Sequence, residues 1–253
     1  MMDNTVLMAP YHNIASGRIF ILGNGPSLLE QLPLLERLRG EATFCCNSMG
    51  RWDALPFEPT YYGLSDIDEY EWLERNRFPH WKNTLRFNVR FEGWPDHEDF
   101  LSVEKAPDSV QVKSSGTVGF EDVLPPIPTA RTTPLTLLQL AAWMGYREFY
   151  YLGIEQTRGY AYEPDRLVSM RGHQAFPLDK NPKYIMAIQD SAERMRHDIE
   201  AAGGSITDCS PGGVLNASGE RYVKRRGAGR REERWRGVVW REVLPYQELS
   251  EVV

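Results

Sequence analysis

The residues best suited to chemistry in this 253-residue chain follow an apolar run, in RIFILGNGPSLLE (18–30). Gly23 and Gly25 permit positive φ and a close approach of the backbone to a ligand. The helix that follows would offer free N–H groups and a positive dipole end, which suit a phosphate. Asn24 adds an amide that can reach a nucleotide or substrate oxygen, and Ser27 is placed to cap the helix. The pattern lacks the third glycine of a dinucleotide loop and the Gly-Lys-Ser/Thr of a Walker loop. Two readings therefore stand side by side, a phosphate-binding loop and a tight structural turn.

A second signal is Asp66-Ile67-Asp68, after YYGLS. Two carboxylates at a strand end can hold Mg²⁺ or Mn²⁺ against a diphosphate. The alternative is structural, with Asp66 a loop carboxylate and Asp68 the cap of the next helix. The local pattern favours the cap for Asp68 and a ligand-facing Asp66.

Elements that would position these groups follow from hydrophobic periodicity. Short apolar runs at 18–23, 42–47, 59–66, 84–89 and 147–155 read as strands, and SITDCS (205–210) as a last one. Helical spacing appears at 28–39, 68–76, 132–146 and 181–204; Pro33 suggests a break in the first, and Gly203–Gly204 closes the last. Residues 90–130 read as a long irregular excursion, with VQV (110–112) as its one strand, and 155–180 read as loop. Strands alternating with helices predict a doubly wound, mostly parallel α/β sheet. Ligands of such sheets bind beyond the carboxyl ends of the strands, where Gly23–Ser27, Asn47, Asp66, Glu155 and Ser210 fall. The predicted organisation is one α/β domain over 1–216 and an extension over 217–253.

Charge separates the two parts. The chain holds 29 Lys/Arg and 35 Asp/Glu, net −6, and 221–241 alone holds nine Arg/Lys and two Glu. The remainder, with 20 basic and 33 acidic residues, carries −13. The basic segment reads either as a solvated helix docking Trp235, Val238 and Val239 on the body, or as a contact for nucleic acid. The acidic body is a poor platform for nucleic acid, whose binding rests on phosphate neutralisation. Trp94, in FEGWPDHED, could stack on an acceptor, whereas the other body tryptophans read as core. No stretch approaches a membrane span, MMDNTVLMAPYHN shows no leader pattern, and Cys45, Cys46 and Cys209 lack CxxC spacing. The expectation is a cytoplasmic, reduced protein.

Several stretches, in one order, resemble a known group. ILGNGPSL, FCCNS, TTPLTLLQLAAWMGYREFYYLGIE, GYAYEPD and TDCSPGGVLN are similar to segments of the bacterial sialyltransferases of the Campylobacter type, which use CMP-sialic acid. They also resemble the related motility-associated-factor family, which includes 6-hydroxymethylpterin diphosphokinase-like proteins. The likeness spans roughly 18–213 and is weak over 90–130. It implies a Rossmann-like, glycosyltransferase-A-like fold that moves a sugar from a nucleotide donor to a hydroxyl acceptor.

By position the resemblance implies that Gly23, Asn24, Gly25 and Ser27 line the donor phosphate or ribose, and that Asn47 contacts the nucleotide. Thr132, Thr133, Gly153 and Glu155 would sit near the donor, while Ser210, Pro211 and Gly212 would close over the base. Tyr160 matches the tyrosine that helps the phosphate leave. The family's basic histidine has no counterpart in PLDKNPKY; His173, a few residues earlier, is the substitute, with a pKa range suited to taking a proton from a hydroxyl. Sialyl transfer implies no metal, whereas a pterin-type pyrophosphokinase would use ATP and Mg²⁺ on Asp66 and Asp68. A third reading is a nucleotide-binding or nucleic-acid-associated module, including sugar transfer to modified DNA.

Overall fold

Seven short runs, most of them rich in branched and aromatic residues, build one sheet. They are β1 (Arg18–Leu22), β2 (Thr43–Cys46), β3 (Tyr61–Leu64), β4 (Leu85–Arg90), β5 (Leu101–Glu104), β6 (Glu148–Leu152) and β7 (Ser205–Asp208). The sheet order is β5-β4-β3-β2-β1-β6-β7, and every pairing is parallel. The computed structural model describes residues 8–25, 27–51, 55–76, 81–90, 98–154 and 182–210. The chain divides into units Met1–Arg221 and Tyr222–Val253, and the second lies outside the described residues.

Parallel strands need crossover connections and cover on both faces. The crossovers carry α1 (Ser27–Leu35), α2 (Ile67–Asn76), the single turn α3 (Val112–Ser115), α4 (Thr133–Trp143) and α5 (Pro182–Ala201). One face of the sheet (Ile19, Ile21, Phe44, Phe87, Val89, Phe149) forms the main core with Leu135, Leu138 and Trp143 of α4 and Ile188, Met195 and Ile199 of α5. Alternate strand residues such as Phe20, Leu22, Tyr62 and Leu64 are buried on the opposite face. Every residue of α4 from Pro134 to Trp143 is buried, which explains why its sequence is apolar apart from Thr136 and Gln139. The chain travels outward from β1 to β5, returns through α4 and re-enters beside β1 as β6. That reversal opens a crevice at the carboxyl ends of β1 and β6.

The expected α/β architecture is the one observed, with local differences. Within the supposed excursion, LSVE (101–104) pairs with β4 as β5. Only Ser102 and Val103 of this strand are buried, so it lacks the apolar run that marks the others. VQV is not a strand: Gln111 makes an isolated bridge to Thr129, and Val112 begins α3. Pro33 lies inside α1, which passes into a 3-10 turn at Glu36–Leu38. Ser27 is already helical instead of preceding the helix. Gly203, at φ +80°, ends α5 as expected, with the Gly204 N–H reaching back to the Ile199 carbonyl (2.9 Å).

The segment joining α3 to α4 is fastened by two polar side chains. Gln139 of α4, fully buried, accepts from the Val118 N–H (3.3 Å) and donates to the Pro128 carbonyl (3.0 Å). Asp198 of α5 accepts from the Thr117 N–H (2.8 Å) and from Arg194 (3.0 Å). Burial pushes the Asp198 carboxyl up, but its hydrogen bonds from Thr117, Arg194 and His197 outweigh that and hold it below its usual range. A carboxylate held low stabilises the fold above its unfolded pKa, and this contribution fades as pH falls through the folded value. Asp198→Asn is therefore expected to lower the denaturation midpoint at pH 7, with the gap to wild type closing as the pH drops below about 4. A gap independent of pH in parallel urea titrations would contradict this.

Candidate functional site

The loop after β1 is zipped to the loop after β6. The Gly23 N–H donates to the Leu152 carbonyl (2.8 Å), and the Gly25 N–H donates to the Gly153 carbonyl (2.8 Å). A Cβ on Gly23 would fall well inside van der Waals contact of the Gly153 carbonyl oxygen. Gly153 itself sits at φ +66°, and a Cβ there would lie 2.7 Å from Leu28 Cγ. These two glycines are thus required by the close approach of two strand ends, before any ligand is considered. Asn24 lies between Gly23 and Gly25 in this loop. Its Oδ1 is buried and makes no hydrogen bond among the described residues.

A second group gathers at the ends of β2 and β3 and the start of α4. Asn47, at φ +42°, donates from Nδ2 to Thr133 Oγ1 (2.9 Å) and accepts at Oδ1 from the Ser65 N–H (3.1 Å). Ser65 Oγ lies 2.7 Å from the same Thr133 hydroxyl, and the Tyr62 hydroxyl donates to the Asn47 carbonyl (2.5 Å). Asn47 and Thr133 were expected beside the donor. The structure places them at the carboxyl edge of the sheet and joins three elements through them. Thr132 is the N-cap residue of α4 and makes no side-chain cap bond; its carbonyl accepts from the Thr136 N–H (3.1 Å).

Beyond β7, the Ser210 hydroxyl accepts from the Ile154 N–H (3.0 Å), and the Ser210 N–H donates to Asp208 Oδ1 (2.8 Å). Ser210 therefore ties the end of β7 to the end of β6. Gln31 of α1 adds to this corner, donating from Nε2 to the Cys209 carbonyl (3.1 Å). Ser27 is buried at the first turn of α1, above Gly25. Glu155, Tyr160, His173, Pro211, Gly212, Trp94 and the basic stretch 221–241 lie outside the described residues.

The Asp66–Asp68 pair takes a form that differs from the expected one. Asp66 Oδ1 accepts from the Asp68 N–H (3.1 Å), and the Asp66 carbonyl accepts from the Tyr70 N–H (3.1 Å). Asp66 is thus the N-cap of α2, and Asp68 lies in its first turn, where a negative charge favours the helix dipole. Helix geometry decides this, because only the residue just before the first turn can fold its carboxylate back onto that N–H. Among the described residues no cluster of three His, Cys, Asp or Glu side chains could hold a metal ion. The cap bond engages Asp66 Oδ1, one of the four carboxylate oxygens of the pair.

Two cationic groups escaped the sequence reading. Lys105 follows β5, and Arg131 precedes α4 with φ +66°, a rare backbone for a residue with a side chain. Burial lowers the Lys105 pKa most, Asp108 and Asp66 oppose that, and Arg131 lowers it further, so Lys105 feels the charge of all three. Lys105 was hidden because the strand ahead of it was missed; the backbone of Arg131 has no signature in the sequence.

The arrangement generates two mutational expectations. Gly23→Ala should destabilise the fold by about 2–4 kcal/mol, since a methyl group cannot fit against the Gly153 carbonyl. Thr133→Val, which deletes the hydroxyl shared by Asn47 and Ser65, should cost about 1–3 kcal/mol. Urea unfolding of both variants checks this, and a Gly23→Ala protein as stable as wild type would remove the steric argument.

No protein-family model matches the chain, and no curated protein does. Among solved structures, the MAf glycosyltransferase from Magnetospirillum magneticum AMB-1 is similar in fold, with a TM-score of 0.50 and 14% identity over 81% of this chain. The match takes in 34% of that protein, so the present chain spans about a third of its length. Among the described residues no helix is long and apolar enough to cross a membrane. What the comparison establishes is the fold: a parallel, doubly wound α/β sheet of the kind found in a glycosyltransferase.

Proposed function

We propose that the chain is a glycosyltransferase, moving a sugar from a nucleotide donor of CMP-sugar or nucleoside-diphosphate-sugar type to a hydroxyl acceptor. The observation that carries this reading is Asn24. A buried amide oxygen left unpaired costs about 1–3 kcal/mol, and here it stands between two glycines at the switch point of a doubly wound sheet. A bound donor would supply its missing partner. Lys105 and Arg131 bring two cations to the carboxyl edge that could meet the donor's phosphate, with Asp66 and Asp108 acting on Lys105 as counter-charges. The likeness to the MAf glycosyltransferase supports the same class.

In this reading the bond between the anomeric carbon and the phosphate oxygen breaks, and its electron pair leaves with the phosphate. The acceptor oxygen bonds the anomeric carbon and gives up its proton. From the resemblance, Tyr160 stabilises the departing phosphate and His173 takes the proton. Fixed donors aimed at the leaving phosphate would supply much of the rate. The pyrophosphokinase alternative needs both carboxylates on Mg²⁺, and the use of Asp66 as a helix cap gives it no support.

Thermal shift of the purified protein with CMP, CDP, UDP, GDP, ADP and ATP, each with and without Mg²⁺, tests the reading. Ligand at about 100 times Kd stabilises the fold by about 2.7 kcal/mol, enough to raise Tm by several degrees. The expected result is a metal-independent shift with at least one nucleotide, at least halved in Asn24→Ala. A shift only with a triphosphate plus Mg²⁺, abolished in Asp66→Ala, would replace transfer of a sugar by transfer of pyrophosphate. No shift with any nucleotide would make the loop a structural turn.

A further inference from the structure

Gln31 carries a second buried acceptor. The residue is 7% exposed, and its Oε1 makes no hydrogen bond among the described residues. Its orientation is not free. The Cys209 carbonyl can only accept, so the side of the amide facing it must be Nε2, and the measured contact is 3.1 Å. Oε1 is thereby fixed as an acceptor directed away from Cys209. The residue belongs to the second turn of α1, the helix that leaves the Gly23–Ser27 loop. Its partner Cys209 lies next to Ser210, whose hydroxyl holds the Ile154 N–H beyond β6. Gln31 therefore occupies the corner between α1 and the carboxyl ends of β6 and β7, on the opposite side of β1 from Lys105 and Arg131.

We infer that Gln31 is a specificity-determining residue for the donor's nucleobase: its fixed amide oxygen accepts from an exocyclic amine and disfavours a base with a carbonyl at the same place. The inference rests on the nucleotide-donor reading above and adds to it a named residue and a chemical rule. Were the amide able to turn over, it would serve amine and carbonyl alike, and the Cys209 carbonyl removes that freedom. A carbonyl set against Oε1 leaves two acceptors face to face, whereas an amine supplies the absent donor. A difference of this kind corresponds to about tenfold in affinity or more.

The test is calorimetric titration of the full chain with two matched pairs, CMP against UMP and AMP against IMP. Each pair exchanges an exocyclic amine for a carbonyl and, beside it, a ring-nitrogen acceptor for an N–H. The expected result is that, in at least one pair, the amine member binds about tenfold tighter or more, and that Gln31→Leu reduces this ratio to less than threefold. Equal binding within both pairs in the wild-type protein would overturn the inference, and this arm needs no variant to fold. A preference that survives in Gln31→Leu, with a melting curve like that of wild type, would overturn it too, leaving Oε1 to an internal water. If nucleotides bind without regard to the amine, the inference fails while the donor reading stands. If none of the four binds, and the diphosphates and triphosphates cause no thermal shift, both fail.

Discussion

The close approach of the β1 and β6 ends is the constraint on which the site depends. Two parallel neighbours that come from distant parts of the sequence must meet without side chains between them. Gly23 gives way to the Gly153 carbonyl, and Gly153 gives way to Leu28, so each glycine makes room for a different part of the same junction. The hydrogen bonds from Gly23 and Gly25 then extend the contact past the last ladder residues. The loop that results has little freedom. It holds Asn24 at the crevice, and under the proposed function such a preordered loop would lose less on binding.

The other half of the crevice is held by hydroxyl and amide groups instead of close packing. Thr133, at the start of the buried helix α4, receives Asn47 from the end of β2 and meets Ser65 beyond β3. These groups sit where sequence reasoning placed donor contacts, yet most of their hydrogen-bonding capacity goes to one another. Residues at the carboxyl edge of a parallel sheet can serve the fold and the ligand together. Here the bonds within the network fix the start of α4, and with it the backbone that carries Arg131.

The unpartnered oxygens of Asn24 and Gln31 cost stability. A chain selected for stability alone would not bury the oxygens of Asn24 and Gln31 without partners, because apolar groups of similar shape would cost less. The cysteines show the contrasting case. Cys45, Cys46 and Cys209 are buried with free thiols, and burial pushes their pKa values up, so they behave as small apolar residues. Orphaned polar groups also lie away from the loop and helix that follow β1, as Asn88 of β4 shows with Oδ1 and Nδ2 both buried and without a hydrogen bond among the described residues.

Much of the fold was legible because short apolar runs alternating with helical periodicity leave few ways to bury both. The runs at 18–23, 42–47 and 147–155 could only be strands covered on two faces, and the Gly-Asn-Gly-Pro-Ser junction marked the start of a crossover. Strand β5 was not legible, since four residues with a serine and a terminal glutamate carry too little periodicity, and Lys105 was lost with it. The cap at Asp66 instead of Asp68 could not be read either, because a shift of two residues changes which carboxylate reaches an N–H but hardly changes the pattern. By itself the sequence determined the class of fold and all of its strands but β5, and it pointed to the stretch after β1. Only the tertiary structure decided what stands beside that stretch. Asn47 meets Thr133 and Gln31 meets Cys209 through strand order, and strand order is set by long-range burial that no local spacing records.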